Sequence, residues 1–366
     1  MGGFVMEMPG IPEGYIAGIS FGYDLKRADY FTDAPLRSLE LLKEQTGANT
    51  VIFAFHALQD DPQSTQIDYL GEDTPTEEGL ARLVHKAREL RMHVILKPML
   101  DCRNGTWRGH INFFDKDVPC EPKWSDWFAS YTAFQVHFAK IAERLRADML
   151  CIACEMVQTQ RRDREWRACI AEIRKHYHGP LTWNADKYQE DEVTFWDALD
   201  VISSSGYYPI DDWERQLARI ETVAKRFQKP FFFIECGCMT CKSSPAVPNS
   251  WIRFRSEVDA LAKARGLELT SDRTVDGLYR GLDFSALPEE IRAVYRDAVD
   301  FKAQADFYRA VFDACDRHDF VQGFGLWDWN GKLNTTPETV CYDGGYGMYL
   351  KPSADVVKAH FSRKLG

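Results

Sequence analysis

The chain has 366 residues, 45% of them hydrophobic and 27% charged, with a net charge of −10. That balance fits a soluble globular protein and excludes disordered and fibrous classes. It gives no basic footprint for nucleic acid or an anionic membrane, so neither is expected as a partner, and acidic substrates are disfavoured. No run approaches the roughly 18 apolar residues of a membrane span. The first residues also lack the basic and then apolar pattern of a secretory leader, so a cytoplasmic protein is expected, or a secreted one whose leader has been trimmed. Ten cysteines in a chain of this length do not form a small-domain disulfide framework and are expected to be buried, reduced thiols.

The chain alternates short apolar runs with helical patterns. Tyr15 to Phe21 reads as a first strand, followed by a helix from Ala34 to Gln45 that stops at Gly47. Asn49 to His56 is the second strand. Thr76 is a plausible N-cap, with Glu77 and Glu78 in the first turn of a helix that ends near Arg91. His93 to Leu100 is the third strand, and the loop after it holds Asp101, Arg103, Trp107 and Arg108. Trp124, Trp127, Phe128, Tyr131, Phe134, Phe138, Ile141 and Leu145 then recur at spacings of three and four, one apolar stripe for packing a helix on a sheet.

Met149 to Glu155 is the fourth strand, an apolar run closed by one carboxylate. A basic helix from Arg161 to Tyr177 precedes the fifth strand, Leu181 to Asn184. The sixth runs from Asp200 to Tyr207 and Tyr208, and a helix from Asp211 to Phe227 leads to the seventh, Pro230 to Gly237, which carries Glu235. The eighth, Val321 to Trp329, follows a helix bearing Phe307, Val311, Phe312 and Cys315. Eight such alternations predict an α/β fold of the (β/α)8, or TIM, barrel type, one catalytic domain over residues 1–366. No glycine-rich phosphate turn follows the first strand, as a nucleotide-binding doubly wound sheet would require. The long gap after strand seven predicts an insertion over about residues 239–297, placed on the catalytic face as a wall or lid.

Glu155 and Glu235 close strands on nearly opposite sides of such a barrel, so both carboxyls face one mouth. Cleavage of a glycosidic bond needs one carboxyl to protonate the leaving oxygen and a second to attack the anomeric carbon or activate water. The two must then differ in protonation, through a drier or more anionic surrounding for the acid and hydrogen-bond donors around the nucleophile. Either glutamate taken alone also fits a rim salt bridge to Lys97, Arg103 or Arg108.

In this order of strands, glutamates at the ends of four and seven make the chain similar to clan A of the glycoside hydrolases, retaining enzymes with the acid/base on strand four and the nucleophile on strand seven. Shorter stretches resemble glycoside hydrolase family 113, whose characterised members act on β-1,4-mannans. These are Thr46 to Asn49, Thr74 to Thr76, Leu96 to Pro98 with Asp101, Trp107 to Gly109, Trp124 to Phe128, Phe195 to Asp200, Tyr207 to Pro209 and Gly323 to Trp327. The resemblance implies Glu155 as acid/base and Glu235 as nucleophile, with Tyr207 or Tyr208 donating to Glu235, Trp327 flooring the cleavage subsite and Trp107 lining a neighbouring one. Lys97 and Asn184 end strands and are candidates for sugar hydroxyls. Cys154 stands where many clan A enzymes carry Asn, and Glu235-Cys236-Gly237-Cys238 departs from the Glu-Ile-Gly-Tyr common in the family.

The expected activity is retaining hydrolysis of a β-linked, β-1,4-mannosidic oligo- or polysaccharide, with no cofactor and no metal. The competing readings are another β-glycoside specificity on the same barrel, a carbohydrate-binding barrel without catalysis, and a zinc site at Cys236, Cys238 and Cys241.

Overall fold

The computed structural model describes residues 6–246, 248, 251–267, 269 and 287–366. Eight strands, β1 (Ile16–Phe21), β2 (Thr50–Gln59), β3 (His93–Cys102), β4 (Met149–Cys154), β5 (Leu181–Ala185), β6 (Val201–Gly206), β7 (Phe231–Cys236) and β8 (Val321–Trp329), close into a barrel in sequence order. Every neighbouring pair is parallel, including β8 with β1. The connections carry α1 (Ala34–Thr46), α2 (Glu77–Glu89), α3 (Trp124–Arg144), α4 (Asp163–Ile173) and α5 (Trp213–Phe227), while β5 reaches β6 through a single 3-10 turn, Trp196–Ala198. After β7 come α6 (Trp251–Ala264), α7 (Glu289–Ala298) and α8 (Phe301–Cys315), and after β8 a final α9 (Ser353–Leu365). That last helix is absent from the sequence-based expectation, which ends at the eighth strand. Its His360 stacks on Phe312 with ring centroids 3.9 Å apart and meets the Tyr15 hydroxyl at 2.9 Å, covering β1 and α8.

Local chemistry explains where the elements begin and turn. Thr76 caps α2 by accepting from the Gly79 amide at 3.2 Å, and Gly47 ends α1 in the left-handed region at φ 69°. Two residues on, the buried Asn49 carboxamide accepts from the Ala17 amide at 2.9 Å and donates to the Tyr15 carbonyl at 3.0 Å, so the Thr46 to Asn49 turn laces β1 to β2. The aromatic stripe of α3 is buried as expected, with Trp127 stacked on Tyr131 at 4.7 Å.

Inside the barrel, Ile16, Ile52, Ile95, Met149, Cys151, Val201, Phe232 and Ile234 form an apolar floor, joined by Met8 and Ile11 from the segment before β1. Above it, Ala54, Met99 and Cys154 pack under Tyr23 and Trp327. Strict alternation would turn residues three apart, such as Cys151 and Cys154, to opposite faces. The β4–β5 register shifts between them, and both lie inside. The same device acts in β7, where the register with β6 slips between Ser204 and Ser205. Ile234 faces the interior and Glu235, its immediate neighbour, lies in the mouth. Bulges of this kind re-aim side chains beside active sites.

The insertion after β7 lies partly within the described residues. There α6 and α7 build a second apolar cluster, Phe254, Val258, Ile291, Val294 and Tyr295, that packs against Tyr207, Tyr346 and Trp327 at the mouth. The segment 270–286, at the centre of the predicted wall, lies outside the described residues.

Gly325 marks how closely the interior layer is filled. A Cβ there would stand 2.1 Å from Ile52 Cδ1 and 2.5 Å from the Ile234 carbonyl oxygen, and backbone cannot yield as a side-chain end can. Gly325→Ala is expected to lose about 1–3 kcal/mol by overpacking, read as a lowered midpoint in denaturant unfolding.

Candidate active site

Glu235 is 4% exposed and receives three donors. The Lys97 ammonium makes a short ion pair with Oε1, the Cys154 thiol donates to the same oxygen at 3.2 Å, and the Tyr207 hydroxyl donates to Oε2 at 2.8 Å. Burial alone would raise this carboxyl, but the Lys97 charge and the three hydrogen bonds outweigh it and hold the group below the usual carboxylate value. Burial and the neighbouring Glu235 charge push the Cys154 thiol well above its ordinary value, so it stays a neutral donor.

Glu155 follows β4 in the left-handed region at φ 51°, a conformation that costs a side-chain-bearing residue about 1–2 kcal/mol and persists only where its surroundings fix it. Its amide donates to the Asn184 carbonyl at 2.9 Å. Ser205 Oγ donates to Oε1 at 2.8 Å, the Trp107 indole N–H reaches Oε2 at 3.3 Å, and an Arg108 nitrogen stands 3.6 Å from Oε2. The Arg108 charge is largely engaged elsewhere. Its guanidinium makes a short ion pair with Asp101, which also accepts from the Tyr23 hydroxyl at 2.8 Å.

Asn184 joins the two carboxyls. Its Oδ1 accepts from Lys97 Nζ at 2.8 Å, and its Nδ2 donates to Ser205 Oγ at 2.9 Å. A continuous chain therefore runs from Glu235 through Lys97, Asn184 and Ser205 to Glu155. Lys97 also lies 5.7 Å from the centre of the Trp327 ring, which is flanked by Tyr23 at 5.2 Å. Trp107, 39% exposed, stands at the rim over Gly109, where a Cβ would meet its ring at 2.3 Å.

Seven of the eight residues singled out in the sequence, Glu155, Glu235, Tyr207, Trp327, Trp107, Asn184 and Lys97, thus converge on one mouth. Tyr208 does not. It is fully buried, and its hydroxyl donates to Glu190, which also accepts from Ser204 at 2.5 Å and pairs with Arg219. Neighbouring residues leave the end of β6 in opposite directions, and only Tyr207 reaches Glu235. Ser205 is not singled out by the sequence reading, although a polar residue near the carboxyl end of a strand is the available signal. The three cysteines of the zinc reading are all buried. Cys236 and Cys238 belong to the layer between strands and helices, whereas Cys241 sits in the insertion cluster and contacts Ser244 Oγ at 2.8 Å. No group of three or more His, Cys, Asp or Glu side chains among the described residues is arranged to hold a metal ion.

A closed (β/α)8 barrel whose mouth holds two buried carboxyls, one ringed by donors and the other by hydroxyl and indole groups, defines a hydrolase of glycosidic bonds. The profile of Glycoside Hydrolase Family 113 matches residues 19–270 and 283–351, and the chain belongs to that family. Two solved structures titled as family 113 β-1,4-mannanase are 41% and 42% identical, each with TM-score 0.82 and covering 98% of this chain and 99% of its own. A β-mannanase from Alicyclobacillus acidocaldarius in complex with ManMIm is 32% identical, with TM-score 0.80, covering 99% of this chain and all of that one. No curated protein matches the sequence.

Removing the ammonium from this site leaves a dry carboxyl with two neutral donors. A form of Glu235 that must be ionised to act loses activity as pH falls through its depressed value, so in Lys97→Met the acid limb of kcat/KM is expected to move to higher pH by at least about one unit. Profiles of the two proteins on one oligosaccharide check this. A second comparison separates the tyrosines. Tyr207→Phe is expected to lower kcat/KM at least about tenfold, whereas Tyr208→Phe costs about 1 kcal/mol of stability and leaves kcat/KM within about twofold.

Proposed function

We propose that the protein hydrolyses β-1,4-mannosidic chains with retention of configuration, Glu235 serving as nucleophile and Glu155 as acid/base. The observation that carries the reading is the unequal partnering of two buried carboxyls, Glu155 meeting a hydroxyl and an indole N–H, and Glu235 an ammonium, a thiol and a phenol. Glu235 is held ionised by the Lys97 ammonium and two neutral donors, the Cys154 thiol and the Tyr207 hydroxyl. In the first step a Glu235 oxygen attacks the anomeric carbon while the Glu155 proton passes to the glycosidic oxygen, and the leaving sugar departs as an alcohol. In the second, Glu155 takes a proton from the attacking water and the Glu235 carboxylate is released.

The sugar class follows the relatives, β-mannanases that share 32–42% of residues across almost the whole chain. Trp327, beside Lys97 at the floor of the mouth, offers the flat apolar face on which the sugar at the cleavage point would stack.

Mannotetraose hydrolysis followed by proton NMR is expected to release the β-anomer first, and an α-anomer appearing first would overturn the retaining reading. Glu235→Ala should abolish turnover of every substrate. Glu155→Ala should lose about 10²–10⁴-fold on mannotetraose, yet still undergo the first step with a dinitrophenyl β-mannoside, whose leaving group needs no acid. Equal loss on both substrates would remove Glu155 from the acid role.

A further inference from the structure

Arg108, on the connection between β3 and α3, is the cation that reaches Glu155. Its Nη1 stands 3.6 Å from Glu155 Oε2 and 3.5 Å from Cys154 Sγ. The first distance is too long for a hydrogen bond. The rest of the guanidinium is drawn the other way. Its Nε donates to the Leu100 carbonyl at 2.7 Å and to Asp101 Oδ1 at 3.1 Å, and Nη2 makes the short ion pair with that same oxygen. Arg108 is only 7% exposed, so its charge needs an anion beside it. The second Asp101 oxygen accepts from the Tyr23 hydroxyl at 2.8 Å, and the Tyr23 ring flanks Trp327.

We propose that Asp101 is a positioning residue for the acid/base: its charge offsets that of Arg108 and holds the guanidinium short of Glu155, which can then carry the proton given in the first step. The inference rests on the assignment of Glu155 made above. A cation in full contact with a buried carboxyl keeps it ionised, as the Lys97 ammonium does for Glu235. The same contact at Glu155 would take away the acid.

The other groups around the three do not perform this task. Lys97 is committed to Glu235, and Lys187 lies 3.3 Å from Asp186. The phenols of Tyr207 and Tyr346 and the Cys154 thiol are held neutral by burial, as are the Tyr23 phenol and the Cys102 thiol beside Asp101. His56 Nδ1 is 3.6 Å from Asp101 Oδ2, again beyond a hydrogen bond. Burial would raise the Asp101 carboxyl, but the Arg108 charge first, and then His56 and Tyr23, hold it below the usual carboxylate value. Asp101 is therefore a standing anion, and Arg108 stays with it.

The test is the pH dependence of kcat/KM on mannotetraose for the wild type, Asp101→Asn, Arg108→Met and the double variant. In Asp101→Asn the released guanidinium favours the ionised form of Glu155, so the basic limb is expected to move down by at least about one unit. In Arg108→Met, Glu155 faces the Asp101 charge alone, and the limb should move up. The double variant removes both charges and should bring the limb to within about half a unit of the wild type. These last two supply the answer if Asp101→Asn does not fold. Were Asp101 needed only to hold Tyr23 beside Trp327, KM would rise at every pH and the limb would stay. In protein carrying carboxyl-labelled glutamate, the carbon resonance missing from Glu155→Gln should titrate at lower pH in Asp101→Asn than in the wild type. An unmoved resonance, an Arg108→Met limb that does not rise, or a limb still lowered in the double variant overturns the proposal. A resonance that moves while the limb does not leaves the counterion in place and removes Glu155 from the acid role instead.

Discussion

The ion pair between Lys97 and Glu235 is the constraint on which the rest of the mouth depends. Both groups are almost wholly buried, and removing two charges from water costs several kcal/mol per ion unless geometry and further hydrogen bonds offset it. The barrel brings the pair and its compensating partners together from five strands. Lys97 comes from β3 and Glu235 from β7, Asn184 on β5 accepts a second ammonium hydrogen, and Tyr207 and Cys154, at the ends of β6 and β4, complete the carboxylate's shell. The face of Trp327 lies close enough to Lys97 for a cation–π contribution. None of these groups is near another in sequence. The pair is therefore tolerable only when the barrel is closed, and the site exists only in the folded state.

Closure alone would not aim the carboxyls. Regular strands alternate between the interior and the helical layer, and a barrel filled by alternation places every second residue inside. Ile234 already occupies the interior of β7, so strict alternation would turn Glu235 toward the helices. The slipped registers of β6 with β7 and of β4 with β5 bring Glu235 and Cys154 inward instead. The positive φ of Glu155 completes the turn of its chain into the mouth. The local cost of these irregularities is borne by a floor packed so closely that Gly325 has no room for a methyl group.

Much of this was legible in the sequence, for identifiable reasons. Apolar runs closed by a single glutamate mark strand ends in a parallel barrel, because such strands are covered on both faces until they reach the mouth. Glu155, Glu235 and Asn184 were readable on that rule, whereas Lys97, expected at a strand end, lies in the middle of β3 because that strand runs on to Cys102. The choice between Tyr207 and Tyr208 was not, because it depends on the direction in which each residue leaves the end of β6, and that is settled by tertiary contacts with Glu190 and Arg219. Ser205 was hidden within a run of three serines that alternate in role. Ser203 and Ser205 bond within the barrel, to Thr182 and Glu155, while Ser204 bonds outward to Glu190. The closing helix α9 was missed because its role is to cover β1 and α8, neighbours that only the closed ring brings beside it.

The same electrostatics bears on both halves of a double displacement. In the proposed mechanism a carboxylate stabilised by an ammonium and two further donors is a weaker nucleophile than a bare one, so these partners oppose the first step. Once Glu235 is esterified its charge is gone, and the Lys97 ammonium remains in a dry pocket with only the Asn184 oxygen as a strong partner. Release of the carboxylate then restores the ion pair, so the interaction that restrains attack favours departure. Asn184 is also bonded through Ser205 to Glu155, the group proposed to accept the water's proton in that second step. Where many clan members carry an asparagine immediately before the acid/base, this chain has the Cys154 thiol on Glu235, the proposed nucleophile, and a carboxamide from the adjacent strand stands between the two glutamates. That arrangement couples the charge on one glutamate to the orientation of the other, and its largest effect should fall on hydrolysis of the glycosyl-enzyme rather than on its formation.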